Sequence, residues 1–205
     1  STLKNHYPLA VESNFLVAAT PSMNDDAGSV ALISDAGINL DYLLYEDDFH
    51  TPILKDKEGV SLERISTTVA TMNRNNWKSA SSAAGFATPG FINSNSKPDS
   101  DLSEDQVIIE PEIFSPDRPG QDFAKIQYKF AQTGWVANVK IADQQGRILK
   151  ELANNETLGY EGFFRWDGDR ADGTRVRVGY YFVWFEVFQL DGQLKTFRKR
   201  VVVAR

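Results

Sequence analysis

From Gln106 onward the chain alternates apolar and polar residues with a period of two, and clusters of turn formers cut the alternation at short intervals. The runs are "QVIIEPEIFSP", "AKIQYKF", "WVANVKIAD", "RILKELA", "FFRWDG", "GYYFVWFEVFQ" and "LKTFRKRVVVAR". Between them lie "SPDRPGQD", "AQTG", "QQG", "NNETLGYEG", "DRADGTRVRVG" and "LDGQ". Successive side chains of a strand point to opposite faces, whereas a helical face returns every 3.6 residues, so these runs are strands. Short strands this closely spaced bury their apolar faces by packing as two antiparallel sheets. In "YYFVWFEVF" aromatic residues fall on both faces, as a central strand requires.

The number and spacing of the runs predict a sandwich of immunoglobulin type over residues 107–205. The first half has the same period in shorter pieces: "GSVALIS", "NLDYLLY" and "GVSLERI". "SDAG" at 34–37 is a hairpin turn in which Gly37 can take positive φ. Residues 73–94 should form an ordered loop pinned by Trp77, Phe86 and Phe91, with Thr88-Pro89-Gly90 as a tight turn. "TLKNHYPLA" is the one segment suited to a turn or two of helix. Residues 93–105, "NSNSKPDSDLSED", hold a single apolar side chain, Leu102, so nothing there is expected to be buried. The fold class expected is therefore all-β. Two immunoglobulin-like antiparallel β-sandwich domains, residues 1–95 and 107–205, are joined by a short polar linker at 96–106, the first truncated at its N-terminus.

The 205 residues carry a net charge of −6, which disfavours nucleic acid or an anionic membrane surface as the main partner. No window approaches the ~20 consecutive apolar residues of a spanning helix. The first residues are no signal peptide, so an export signal is expected outside this numbering. The absence of cysteine excludes disulfides, thiolate metal sites and cysteine nucleophiles.

Residues 10–95 resemble the C-terminal half of a bacterial lamin tail domain. Gly28 before a strand, His50 with Pro52, the strand 59–64, Asn76-Trp77, Thr88-Pro89-Gly90 and Asn93-Ser94 occur in that family's order. The resemblance implies an immunoglobulin-like sandwich that normally begins with about three further strands. Residues 107–205 are similar to the immunoglobulin-like domain of the flagellar hook-capping protein, found at the C-termini of large Bacteroidota surface proteins. The matching positions are Phe114-Ser115-Pro116-Asp117, Gly120, Asp122, Asp143, Gly146-Arg147, Trp166-Asp167-Gly168, Gly173 and Gly179-Tyr180-Tyr181. That resemblance implies an exported protein, often one leaving through the type IX secretion system, whose sorting domains end in a short Lys/Arg-bearing strand.

Glu46, Asp47, Asp48 and His50 are metal-ligating residue types, yet adjacent residues of an extended chain point to opposite faces, and no metal is expected there. Asp117, Asp122, Asp167, Asp169 and Asp172 are the calcium candidates. "DGDRADG" departs from a calcium-binding EF loop in its glycine, one place late, and in Val178 where a bidentate Glu belongs. The competing expectation is that Asp167 and Asp172 cap their own turns. No nucleophile elbow, phosphate loop, zinc-protease helix or dinucleotide fingerprint occurs, so no catalytic residue and no cofactor beyond a loosely held calcium is expected. Trp166 and Trp184 are expected inside the core and Trp135, after a turn glycine, outside it. Trp135, Lys195, Arg198 and Arg200 are the interaction candidates.

The expected function is that of a non-catalytic structural or interaction end of a larger cell-surface or secreted protein. Protein–protein contacts in an outer-membrane or type IX secretion assembly would be its setting. The alternatives are a glycan-binding module and an accessory module of a secreted nuclease. Strands 14–20 and 30–34 should lack neighbours, so an N-terminal part of the same protein or a partner chain is expected to cover Phe15, Val17, Val30 and Leu32.

Overall fold

In the computed structural model of this chain, which describes residues 2–16, 21–98 and 104–205, the fold divides into two units, Ser1–Asp101 and Leu102–Arg205. Among the described residues there are twelve strands, every pairing but the short β6–β12 one is antiparallel, and no sheet closes into a barrel.

The second unit is a sandwich. One sheet orders β10 (Glu161–Trp166), β7 (Ala124–Lys129) and β5 (Gln106–Glu110). The other orders β6 (Ile113–Phe114), β12 (Leu194–Val203), β11 (Gly179–Phe188), β8 (Val136–Ala142) and β9 (Ile148–Thr157). The alternation chooses the inner face. Ile126 and Tyr128 of β7, Val139 and Ile141 of β8, and Val183, Phe185 and Val187 of β11 are all buried in one core. Rings cross between the sheets: Tyr128 and Phe164 each lie 5.8 Å from Phe185. Burying each such side chain is worth about 1.5–3 kcal/mol. The seven expected runs become eight strands because the first divides at Pro111 into β5 and β6. β12 is not an outermost strand, but β6 pairs only with Val202 and Val203, leaving the edge open from Leu194 to Val201.

Two tryptophans reverse the expected order. Trp135 is 1% exposed and Trp184 39%, while Trp166 is fully buried. Gly134 makes the turn at φ 84°, after which Trp135 swings under Phe130, with ring centroids 5.8 Å apart. Trp184 occupies the even-numbered register of β11: its neighbours Val183 and Phe185 take the core, so its own ring points outward. Trp166 packs edge-on against Phe114 and Tyr181 and donates its indole N–H to the Asp169 carbonyl at 2.9 Å.

The first unit is built differently. A short helix α1 (Thr2–His6) precedes the hairpin β1 (Ala27–Ile33)–β2 (Asn39–Glu46), and a three-residue ribbon pairs β3 (Leu62–Arg64) with β4 (Trp77–Ser79). The β1–β2 turn uses Gly37 at φ 76°, as its sequence predicts. β4 arises inside the segment expected to be loop, and Phe91 is exposed instead of pinning it. Residues 17–20 of the expected strand 14–20, Val17 included, lie outside the described residues, and Glu12–Asn14 form a 3-10 turn. The described apolar residues fully buried in this unit are three alanines, Ala10, Ala80 and Ala87.

Trp135→Ala should destabilise the second unit by about 3–5 kcal/mol, as large-to-small core changes do, and Trp184→Ala by about 1 kcal/mol or less. Urea unfolding followed by circular dichroism checks this; equal losses would contradict the assigned facing of β11.

Candidate interaction surface

Glu63 sits in the middle of β3 and is 2% exposed. A buried carboxylate is tolerated only when its lone pairs are used. Here the Thr88 hydroxyl donates to Oε1 at 2.7 Å, while Oε2 accepts from the Ser94 hydroxyl at 2.6 Å and from the Asn95 backbone and side-chain N–H groups at 3.0 Å each. Asn95, in the stretch expected to have nothing buried, is fully buried because this carboxylate needs it. The first unit therefore reaches into that stretch, and residues 99–103 of the expected linker lie outside the described residues.

Around the ribbon, side chains replace the missing strand hydrogen bonds of residues 66–72. Asn76 accepts from the Ser66 N–H and donates to the Ser66 and Val69 carbonyls. Arg64 donates to the Ser66 and Val69 carbonyls, and the Trp77 indole donates to the Thr71 carbonyl. Arg64 also reaches across to Asp41 of β2 at 3.1 Å, fastening that strand to the body. The Asp41 carboxyl is held below the usual aspartate range, chiefly by a hydrogen bond from Thr71, with the Tyr42 amide and Arg64 adding to it.

β1 has no such tie. Every residue of it except Gly28 is exposed, with Leu32 at 62%, and β2 is its one strand partner among the described residues. Leu40, Leu44, Ile33 and Ile38 of the same hairpin are exposed as well. Below the hairpin lies an open groove of about 630 Å³ with an apolar floor of Val30, Leu43 and Tyr45 and carboxylates from Asp25, Glu46 and Glu58 at its rim. Lys57 stands there too, but it is bound to Asp47 at 3.0 Å.

His50 shares a hydrogen bond through its Nδ1 with the Ser79 hydroxyl at 3.1 Å. Burial, with Lys57 nearby, lowers its pKa below the ordinary histidine value of 6.5 against an opposing pull from Asp47. Asp47 and Asp48 turn instead to Lys57 and Arg74. Among the described residues no group of three or more His, Asp and Glu side chains is placed to hold one metal ion.

The calcium candidates do not converge. Asp122 and Asp167 both face Arg165, at 3.5 and 2.7 Å, and Asp169 pairs with Lys150 at 2.5 Å. Asp172 caps its own turn through the Thr174 N–H at 2.9 Å. Asp167 does not; its side chain goes to Arg165 and its carbonyl to Arg175. Asp117 lies apart, on a rim beside Arg175.

The four interaction candidates separate. Trp135 is in the core, and Lys195 lies 4.7 Å over its ring with its ammonium on Asp105. Arg198 and Arg200 are exposed on β12, and the Arg198 guanidinium lies 5.3 Å over the Trp184 ring. Next to it Tyr180 and Phe182 meet at 86°. Tyr180 and Phe182 thus offer no coplanar pair of rings.

No family model matches this chain, and no curated protein matches it. Among solved structures, the chain is similar to PorZ, an essential bacterial surface component of the type-IX secretion system of Porphyromonas gingivalis. The identity is 30% over 48% of this chain and 11% of that one, with a TM-score of 0.33. It is also similar to CopC from Methylosinus trichosporium OB3b, at 18% identity over 49% of this chain and 93% of that one, with a TM-score of 0.32.

Two outcomes follow for the first unit. Glu63→Ala strands the donors of Thr88, Ser94 and Asn95 and should cost about 3 kcal/mol or more. Glu63→Gln, which keeps one acceptor and can donate to Thr88, should cost about 1 kcal/mol. Amide exchange at β3 and β4 in urea reads both; an unchanged Ala variant would contradict the network. Because His50 binds its proton less readily folded than unfolded, stability should fall as pH drops through 6.5 and level off below the lowered folded value. The step should vanish in His50→Gln when unfolding is followed at successive pH values.

Proposed function

We propose that this chain is a non-catalytic interaction segment of an exported bacterial surface protein and that it works through protein–protein contact. The observation that carries the reading is the β1–β2 hairpin. It presents Leu32, Ile33, Leu40 and Leu44 to solvent from a unit whose fully buried apolar residues, among those described, are three alanines. A two-stranded ribbon is at best marginal in water, and an exposed apolar strand edge is a template for another strand. Added strands would give this hairpin the cover that the sandwich strands of the second unit give one another.

The placement on a bacterial surface, in an outer-membrane or type IX secretion assembly of Bacteroidota type, is supported by the motifs of residues 10–95 and 107–205 that resemble a lamin tail domain and the hook-capping immunoglobulin-like domain. The nuclease-accessory alternative is disfavoured by charge. Between Lys4 and Lys55 the chain has no Lys or Arg, and its Glu12, Asp25, Asp26, Asp35, Asp41, Glu46, Asp47 and Asp48 would repel a phosphate backbone.

A photo-crosslinking residue placed at Leu32 in the producing cells should yield one discrete protein adduct, or an internal crosslink to another part of the same polypeptide, in the surface fraction. Absence of any crosslink, or recovery of the protein in the cytoplasm alone, would overturn the reading.

A further inference from the structure

We infer that the open edge of β1 receives a basic, alternately apolar extended segment of another chain, as an added antiparallel or parallel strand. This rests on the interaction reading above and specifies the chemistry of the partner. Three observations carry it. The first is the asymmetry of the hairpin: β2 is fastened to the body through Asp41 and Arg64, while β1 is exposed at every residue but Gly28 and, among the described residues, paired on one side alone. An incoming strand can therefore satisfy the free backbone groups of β1 and cover Val30 and Leu32 on one face and Ala31 and Ile33 on the other.

The second is charge. Asp25 and Asp26 stand at the start of β1 and Asp35 just past its end, and none of the three makes an ion pair among the described residues. The nearest sequence cation on either side is Lys4 or Lys55. A second copy pairing edge to edge would bring Asp25 and Asp26 against a partner's carboxylates, and like charges across a ladder destabilise it. A strand with Lys or Arg near both ends finds a carboxylate at each.

The third is the groove under the hairpin base, about 630 Å³, whose apolar floor and acidic rim fit the stem and head of one long cationic side chain. Its own cation, Lys57, is already committed to Asp47.

The test uses the full chain and two synthetic nine-residue strands of alternating Val and Thr, one flanked by lysine pairs and the other by glutamate pairs. The lysine peptide should bind in calorimetry and slow amide exchange along β1, leaving the sandwich of the second unit unchanged. Asp25→Asn, Asp26→Asn and Asp35→Asn together should weaken it about tenfold, the scale of three solvent-screened ion pairs. Added salt should weaken it as well. Equal binding of the glutamate peptide, or an unchanged affinity in the triple variant, would overturn the basic partner while strand addition at β1 stood. Failure of both peptides to protect β1 would overturn the strand-addition inference itself, and the crosslink at Leu32 would still decide whether the hairpin meets any protein at all.

Discussion

The body of the first unit around β3 is organised by one buried carboxylate. Glu63 takes hydrogen bonds from Thr88, Ser94 and twice from Asn95, which draws two separate segments onto a ribbon only three residues long. Without them an ionised carboxylate inside a protein carries a desolvation cost of several kcal/mol. The network thus acts as a clamp: its members come from residues 63 to 95, and ordering any of them without the others leaves polar groups unpaired. Such networks specify one arrangement strongly because half-made versions are worse than none.

A polar clamp does not, however, bury apolar surface. The second unit encloses Trp135, Trp166, Phe114, Phe130 and Phe185 between two sheets, whereas the first encloses Glu63, Asn76, Ser79, Ser81, Thr88 and Asn95 with three alanines. Hydrophobic burial is the main favourable term in folding, so the two units stand on different footings. Among the described residues, Leu32, Leu40 and Leu44 of its hairpin face water, whereas Val183, Phe185 and Val187 of β11 are fully buried.

The sequence was most legible where periodicity and turn chemistry agreed. The strands of the sandwich and the Gly37 turn follow directly from alternation bounded by turn formers. It was least legible in parity. In "YYFVWFEVF" both registers are aromatic, so alternation names a central strand without saying whether Trp184 or Phe185 goes inside; the packing against Tyr128 and Phe164 decides it. Gly134 does not place Trp135, since a turn glycine fixes where the chain bends and not which way the next ring points. Asn95 and Glu63 were invisible for another reason. A glutamate in "SLERI" and an asparagine in a polar stretch look solvated until their partners, some thirty residues apart, are known to meet.

The same limit explains why the surface emerged from the structure and not from residue types. Cationic and aromatic residues drew attention to Trp135, Lys195, Arg198 and Arg200, but in this sandwich such pairs are consumed internally: Lys195 lies over Trp135 and Arg198 over Trp184. What stays unconsumed is less conspicuous in sequence, a run of ordinary aliphatic residues between aspartates. Recognition surfaces are defined by what the fold leaves unsatisfied. The surface proposed for this chain joins the backbone edge of β1, its flanking carboxylates and the exposed leucines of the hairpin.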